Sequence, residues 1–201
     1  MNFASDNVGP AAPEIMAAMS EANAARSAPY GADPWTERAE ALIREVFEAP
    51  EASVHLVSSG SAANALALAA MTRPWEAIFT HETAHIEMDE AGAPEFFTGG
   101  AKLRRVPGDE GKITPAALEA AIAEVPQGDV HSVQRGPLSL TQLTEWGSAY
   151  TPDELSVLCA SARHHGMRTH LDGARLANAI AAAGISPAEM TRLAGIDALS
   201  L

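Results

Sequence analysis

Cations, cysteine and long apolar runs are all scarce in this chain. Thirteen lysines and arginines stand against 26 aspartates and glutamates in 201 residues, a formal charge of −13 that argues against nucleic acid or an anionic membrane as a general partner. A single cysteine, Cys159, excludes an intrachain disulfide framework and suits a reducing cytosol. Its setting in Leu155-Ser156-Val157-Leu158-Cys159 predicts a small residue in a helix core. No apolar run approaches the ~20 residues that span a bilayer, and the first residues, Met1 to Asn7, lack the basic start and apolar core of a secretory leader. The expectation is a cytoplasmic protein with neither nucleic-acid nor membrane partners. The G-x-S-x-G elbow of α/β-hydrolases is missing as well.

What remains is ample for a core, since 47% of the residues are hydrophobic. Helices are predicted over residues 13–25, over a second stretch where Ala39, Leu42, Ile43, Val46 and Phe47 share one face, and over 61–71, 86–90, 115–125, 152–165 and 174–183. Strands are predicted at 54–57, 77–80, 102–106, 139–141 and 167–171, with a last one at 197–201. This βα alternation implies an α/β fold of seven-strand type, with a mostly parallel, mixed sheet covered by helices on both faces. Residues 1–30 read as an N-terminal arm and helix, and 31–201 as the major α/β domain.

Three segments carry chemistry. The strand ending at His170-Leu171 delivers Asp172 to the carboxyl edge of the sheet, where open α/β sheets bind ligands. Asp172 there can hold a protonated ring nitrogen, and Arg175 offers a fork for a carboxylate or phenolate. Taken alone, the pair reads more simply as a helix cap and a solvated cation. Ser58-Ser59-Gly60-Ser61 opens a helix after a strand-like run, an arrangement suited to a phosphate, although a Ser cap without a ligand is ordinary. His81-Glu82-Thr83-Ala84-His85 matches the H-E-x-x-H pattern of zinc hydrolases, which requires both histidines on one helix. Here His81 follows a strand-like run, so the expectation is instead that His85 opens a short helix and lies flat over a planar ring, with no metal. His170 shares a face with Asp172, either supporting it or packing as a core residue.

These segments resemble, in order, those of the low-specificity L-threonine aldolases of the beta-eliminating lyase family, enzymes of the aspartate-aminotransferase fold (fold type I). Ser59-Gly60-Ser61 resembles the family's phosphate-holding Thr/Ser-Gly-Thr/Ser. His85 resembles its ring-stacking His, and Asp172 with Arg175 its pyridine-binding Asp and neighbouring Arg. Ser5-Asp6 and Tyr30-Gly31-Ala32-Asp33-Pro34 are similar to its Ser-Asp arm and Tyr-Gly-x-Asp-Pro loop, and the segment from Leu138 to Thr151 to the one beneath the cofactor. The resemblance implies pyridoxal 5′-phosphate (PLP) as cofactor, held by Ser59, Gly60, Ser61, His85, Asp172 and Arg175. It implies Ser5, Tyr30 and Arg175 on the substrate, and His85, Asp172 and Arg175 in catalysis. The implied reaction is cleavage of L-threonine or L-allo-threonine to glycine and an aldehyde, by a homo-oligomer, dimer or tetramer, with a homotetramer expected.

One departure stands out. The family's Schiff-base lysine follows the strand that matches 197–201, where this sequence stops, and Lys102 and Lys112 are its only lysines. The chain is therefore expected to be truncated before the lysine loop and the small C-terminal domain, and inactive alone. The residues leave three alternatives: another fold-type-I PLP lyase or transaminase, a zinc hydrolase using His81, Glu82 and His85, and an inactive fragment that acts as a binding module.

Overall fold

A computed structural model of the chain describes residues 8–201. Two helices lead, α1 (Pro13–Ala22) and α2 (Pro34–Val46), and neither buries a side chain. The chain continues through α3 (Gly60–Met71), β1 (Glu76–His81), α4 (His85–Met88), α5 (Ala93–Phe97) and β2 (Lys102–Val106). A short hairpin, β3 (Gly108–Asp109) and β4 (Lys112–Ile113), precedes α6 (Pro115–Ala123), β5 (Gln134–Thr141), α7 (Pro152–His164) and β6 (Thr169–Asp172). The last elements are α8 (Leu176–Ala183), α9 (Pro187–Met190) and β7 (Ala198–Ser200).

Four helices start by one local device. Asp33, Thr114, Thr151 and Ser186 each accept a backbone N–H with the side chain, and each precedes a proline at the first helical position. The proline has no N–H to leave unpaired, and its fixed φ already suits a helix.

The main sheet has five strands in the order β2-β1-β5-β6-β7, all parallel. Alternate residues feed two cores. Ala77, Phe79, Leu138, Leu140 and Leu171 pack with Leu118 and Ile122 of α6 and Leu155 and Leu158 of α7. On the opposite face Ile78 packs with Leu68 of α3, Ala84, Ile86 and Ala101. Helices therefore cover both faces, and the sequence expectation of a parallel, helix-flanked sheet holds.

Three local expectations fail. Residues 54–57 form no strand: Leu56 and Val57 are exposed and pair with nothing among the described residues, which leaves five of the six predicted strands in the main sheet, short of a seven-strand type. The antiparallel pairing lies in the separate β3–β4 hairpin. Conversely, β5 starts at Gln134, five residues before Ser139. Gly136 and Pro137 hide it, because proline interrupts a ladder; the register with β1 slips between Ala77 and Phe79 to admit them. A Cβ on Gly136 would lie 2.7 Å from the Ala77 carbonyl oxygen, so only glycine fits this approach. Third, α8 begins at Leu176, which leaves Arg175 as the residue before the helix rather than inside it.

Candidate active site

The chain order of strands reverses between β1, whose successor β2 lies on one side, and β5, whose successors β6 and β7 lie on the other. A crevice opens outside the carboxyl ends at such a switch point. Four segments meet there: the start of α3, the loop from His81 to His85, the segment after Thr141, and the turn after Asp172.

Asp172 ends β6 with its side chain on the α3 face. Its Oδ1 accepts the Ala174 backbone N–H at 3.1 Å, and its Oδ2 accepts from Asn64 Nδ2 at 2.9 Å. The same amide donates to Glu90 Oε1 at 2.9 Å. Glu90 also faces the Ser61 hydroxyl, and its Oε1 lies 3.9 Å from His85 Nε2. Burial is the main cause that raises the Glu90 carboxyl above its ordinary pKa.

A second chain of contacts returns to His85 from the other side. Glu145 Oε1 accepts the His85 backbone N–H at 3.0 Å and lies 3.5 Å from Arg175 Nη2. Arg175 donates from Nε and Nη2 to the Leu143 carbonyl at 3.1 and 3.0 Å. That fork is thus turned onto the backbone, and Nη1 donates no hydrogen bond among the described residues. Trp146 Nε1 donates to Thr83 Oγ1 at 3.2 Å, pinning the segment after β5 against the loop before His85.

Ser61, His85, Asp172 and Arg175 therefore lie in one connected cluster, with Ser59 and Gly60 at the same helix start. Ser59 Oγ accepts the Ala62 N–H at 3.2 Å as the cap of α3, and a Cβ on Gly60 would meet nothing within 4 Å, so this end faces open space. Tyr30 stands apart. It is fully exposed and does not join the cluster, while Ser5 lies outside the described residues. Asn64, Glu90 and Glu145 belong to the cluster although no sequence pattern marked them. The only signal was Asn64, a polar residue in the otherwise apolar run from Ala62 to Met71.

The zinc alternative fails on geometry. His81 ends a strand and His85 opens a helix, so the pattern never shares one helical face. The His81 ring is engaged at Nδ1 with Thr83 Oγ1 at 2.9 Å and at Nε2 with the Gly108 carbonyl at 3.2 Å. Neither lysine makes a hydrogen bond or ion pair with the cluster among the described residues. Lys102 pairs with Ala77 at the amino ends of the strands, and Lys112 is bound to Glu154 at 2.6 and 2.8 Å.

His170 is not a ligand-facing group. Its Nδ1 and Nε2 each lie 2.9 Å from a serine hydroxyl, Ser139 on β5 and Ser200 on β7, and it is fully buried. Gly173 lets the chain turn after Asp172: its N–H donates to the Ser200 carbonyl at 2.8 Å, and a Cβ would sit 2.7 Å from that oxygen.

Residues 2–201 match the family model described as beta-eliminating lyase. The chain is 44% identical to a low specificity L-threonine aldolase of Pseudomonas aeruginosa, over 98% of this chain and 56% of that protein. It is 29% identical to a probable low-specificity L-threonine aldolase 2 of Arabidopsis thaliana over 77% of this chain and 44% of that one. Among solved structures, a threonine aldolase of Leishmania major superposes with a TM-score of 0.84 at 35% identity, covering 90% of this chain and 53% of that one. The chain spans about half the length of the curated relatives it matches.

Proposed function

Because this chain belongs to the beta-eliminating lyase family, we propose that it forms the cofactor-binding domain of a threonine-aldolase-type carbon–carbon lyase. The proposed cofactor is pyridoxal 5′-phosphate and the proposed reaction is cleavage of L-threonine or L-allo-threonine to glycine and an aldehyde. The observation that carries this reading is the convergence of Ser61, His85, Asp172 and Arg175 at the switch point of the sheet.

The residues present fit the cofactor. Asn64 Oδ1, Glu90 Oε2 and Glu145 Oε2 are buried without a hydrogen-bond partner, so the cluster is not closed by its own contacts. The free N–H groups at the start of α3, with the Ser59 and Ser61 hydroxyls, suit a phosphate. Asp172 would hold the proton on the ring nitrogen, and the His85 imidazole would lie over the ring face. When bound, the cofactor supplies an electron sink for the pair released as Cα–Cβ breaks. Arg175 would orient a substrate carboxylate through Nη1, and His85, directly or through a water, would take the proton from the β-hydroxyl.

The proposal extends to a cytoplasmic homo-oligomer, a dimer or tetramer. The buried thiol of Cys159 suits a reducing compartment. Ile15, Met16 and Met19 of α1 and Leu42 and Val46 of α2 are exposed apolar side chains that a second copy would cover. Tyr30, which lies between these two helices in the chain and is fully exposed, would reach a substrate in the cleft of such a neighbour.

Titration of the 201-residue chain with pyridoxal 5′-phosphate, followed by ligand absorbance, tests the reading. Saturable binding that weakens at least roughly tenfold in Asp172→Asn is expected, the loss of a charge-assisted hydrogen bond; equal affinity in both proteins defeats the assignment. In a protein of the relatives' length that contains this chain, acetaldehyde released from threonine separates aldol cleavage from elimination or transamination, which yield keto acids.

A further inference from the structure

Asn64 Nδ2 gives one hydrogen to Glu90 Oε1 and the other to Asp172 Oδ2, both at 2.9 Å. The three residues are buried, with exposures of 1%, 6% and 4%, so neither carboxyl sheds its charge into water. Two anions joined by one neutral amide repel in a medium that screens weakly, and the favoured state keeps one proton between them.

The partners decide which carboxyl keeps it. Asp172 accepts a backbone N–H as well as the amide, and both contacts favour its anion. Glu90 has only one oxygen bonded to the amide, and Oε2 is buried without a partner. Burial, aided by the facing charge of Asp172, raises the Glu90 carboxyl against weaker opposing effects of Asn64, His85 and Ser61. These are the groups that face it: Ser61 and Asn64 from α3, Asp172 from β6 and His85 from α4. Beyond His85, among the described residues, lie Asp89, 3.5 Å from its Nδ1, and Glu145 at its backbone, with Arg175 3.5 Å from the Glu145 carboxylate.

We propose that Glu90 and Asn64 are a positioning pair for Asp172: Glu90 carries the one proton that the two carboxyls share, and Asn64, bridging them, fixes the Asp172 carboxylate toward the cleft. This rests on reading Asp172 as the partner of a protonated ring nitrogen. A cation seated on Asp172 cancels the repulsion that adds to burial in keeping the proton on Glu90. Binding of the pyridinium is then linked to release of that proton to solvent, leaving a Glu90 carboxylate on the Asn64 amide. Sequence alone hides the pair, because Glu87-Met88-Asp89-Glu90 looks like a solvated acidic turn.

The first test needs no ligand. In the chain carrying 13C-labelled glutamate carboxyls, the Glu90 signal is the one missing from Glu90→Gln. Its midpoint is expected above the ordinary glutamate range, and to move down toward that range in Asp172→Asn. If Asp172→Asn fails to fold, Asn64→Ser serves instead; it removes a donor to the anion, so the midpoint moves up. A midpoint indifferent to these changes overturns the pair.

The second test uses pyridoxine 5′-phosphate, which has the ring and phosphate but no aldehyde, with calorimetry in buffers of different ionisation enthalpy. Wild type releases protons on binding. Glu90→Gln, an isostere of the neutral acid, binds within about threefold of wild type and releases fewer protons than wild type at the same pH, the difference being the share of Glu90, whereas Glu90→Ala, which frees the Asn64 amide, binds at least roughly tenfold more weakly. Unchanged proton release in Glu90→Gln, or an affinity as poor as that of Glu90→Ala, overturns the proposal. If Glu90 titrates as expected but wild type does not bind pyridoxine 5′-phosphate, the shared proton stands and the cofactor reading falls.

Discussion

His170 uses both ring nitrogens on Ser139 and Ser200, so one imidazole spans three neighbouring strands two residues before Asp172. Complete burial lowers its pKa from 6.5 to about 4, with Asp172 pulling the other way. Above pH 6.5 the ring is neutral folded and unfolded, and its contacts count in full. Between pH 6.5 and about 4 the unfolded chain takes up a proton that the folded ring refuses, so stability falls as pH falls through that window. Urea unfolding midpoints should drop across this range, and His170→Asn should be less stable at neutral pH but flatter between pH 6.5 and 4; equal slopes would remove His170 as the cause. At this scale the sequence was legible where a residue type has few uses. Asp172, Arg175, His85 and the Ser59-Gly60-Ser61 turn stand at strand ends or helix starts, and pattern alone marks such places. Glu90 and Glu145 were not legible, because burial and partners across the fold turn ordinary acids into cluster members.

The helix α7 shows how far local rules reach. Thr151 accepts the Glu154 N–H at 3.2 Å while Glu154 Oε2 accepts the Thr151 N–H at 2.7 Å, a reciprocal cap that the motif T-P-D-E announces. Thr151→Ala should cost about 1 kcal/mol in urea unfolding. Leu158→Ala, which empties a fully buried site in the larger core, should cost about 2–5 kcal/mol. A Thr151→Ala loss as large as that of Leu158→Ala would mean that the cap carries tertiary contacts not seen here. Helices with caps and apolar faces were thus readable within a few residues. Strands were less so, since pairing is settled by neighbours far along the chain: 54–57 has the alternation of a strand but no partner among the described residues, and 134–138 has a partner despite Gly136 and Pro137.

For the molecule as a whole, the parallel sheet sorts residues by end. Asp172, His81 and Thr141 finish strands at one edge, while Lys102 starts a strand at the opposite edge and Lys112 is tied to Glu154. Borohydride reduction of the 201-residue chain with pyridoxal 5′-phosphate should therefore give only partial labelling of these lysines, without aldolase activity, by peptide mass mapping. Stoichiometric labelling of either one with activity would contradict their placement. The two faces of the sheet also differ in kind. Against α6 and α7 lies a broad hydrocarbon layer; on the α3 side the described residues form a small apolar cluster, Leu68, Ile78, Ala84, Ile86 and Ala101, beside Asn64, Glu90, His170 and Asp172. A face with few buried apolar contacts opens at a lower free energy than one with many. Deuterium should accordingly enter the amides of α3 well before those of α7, and a ligand bound between them and β6 should slow α3 most. On that face the ligand would serve the protein as a missing piece of its interior.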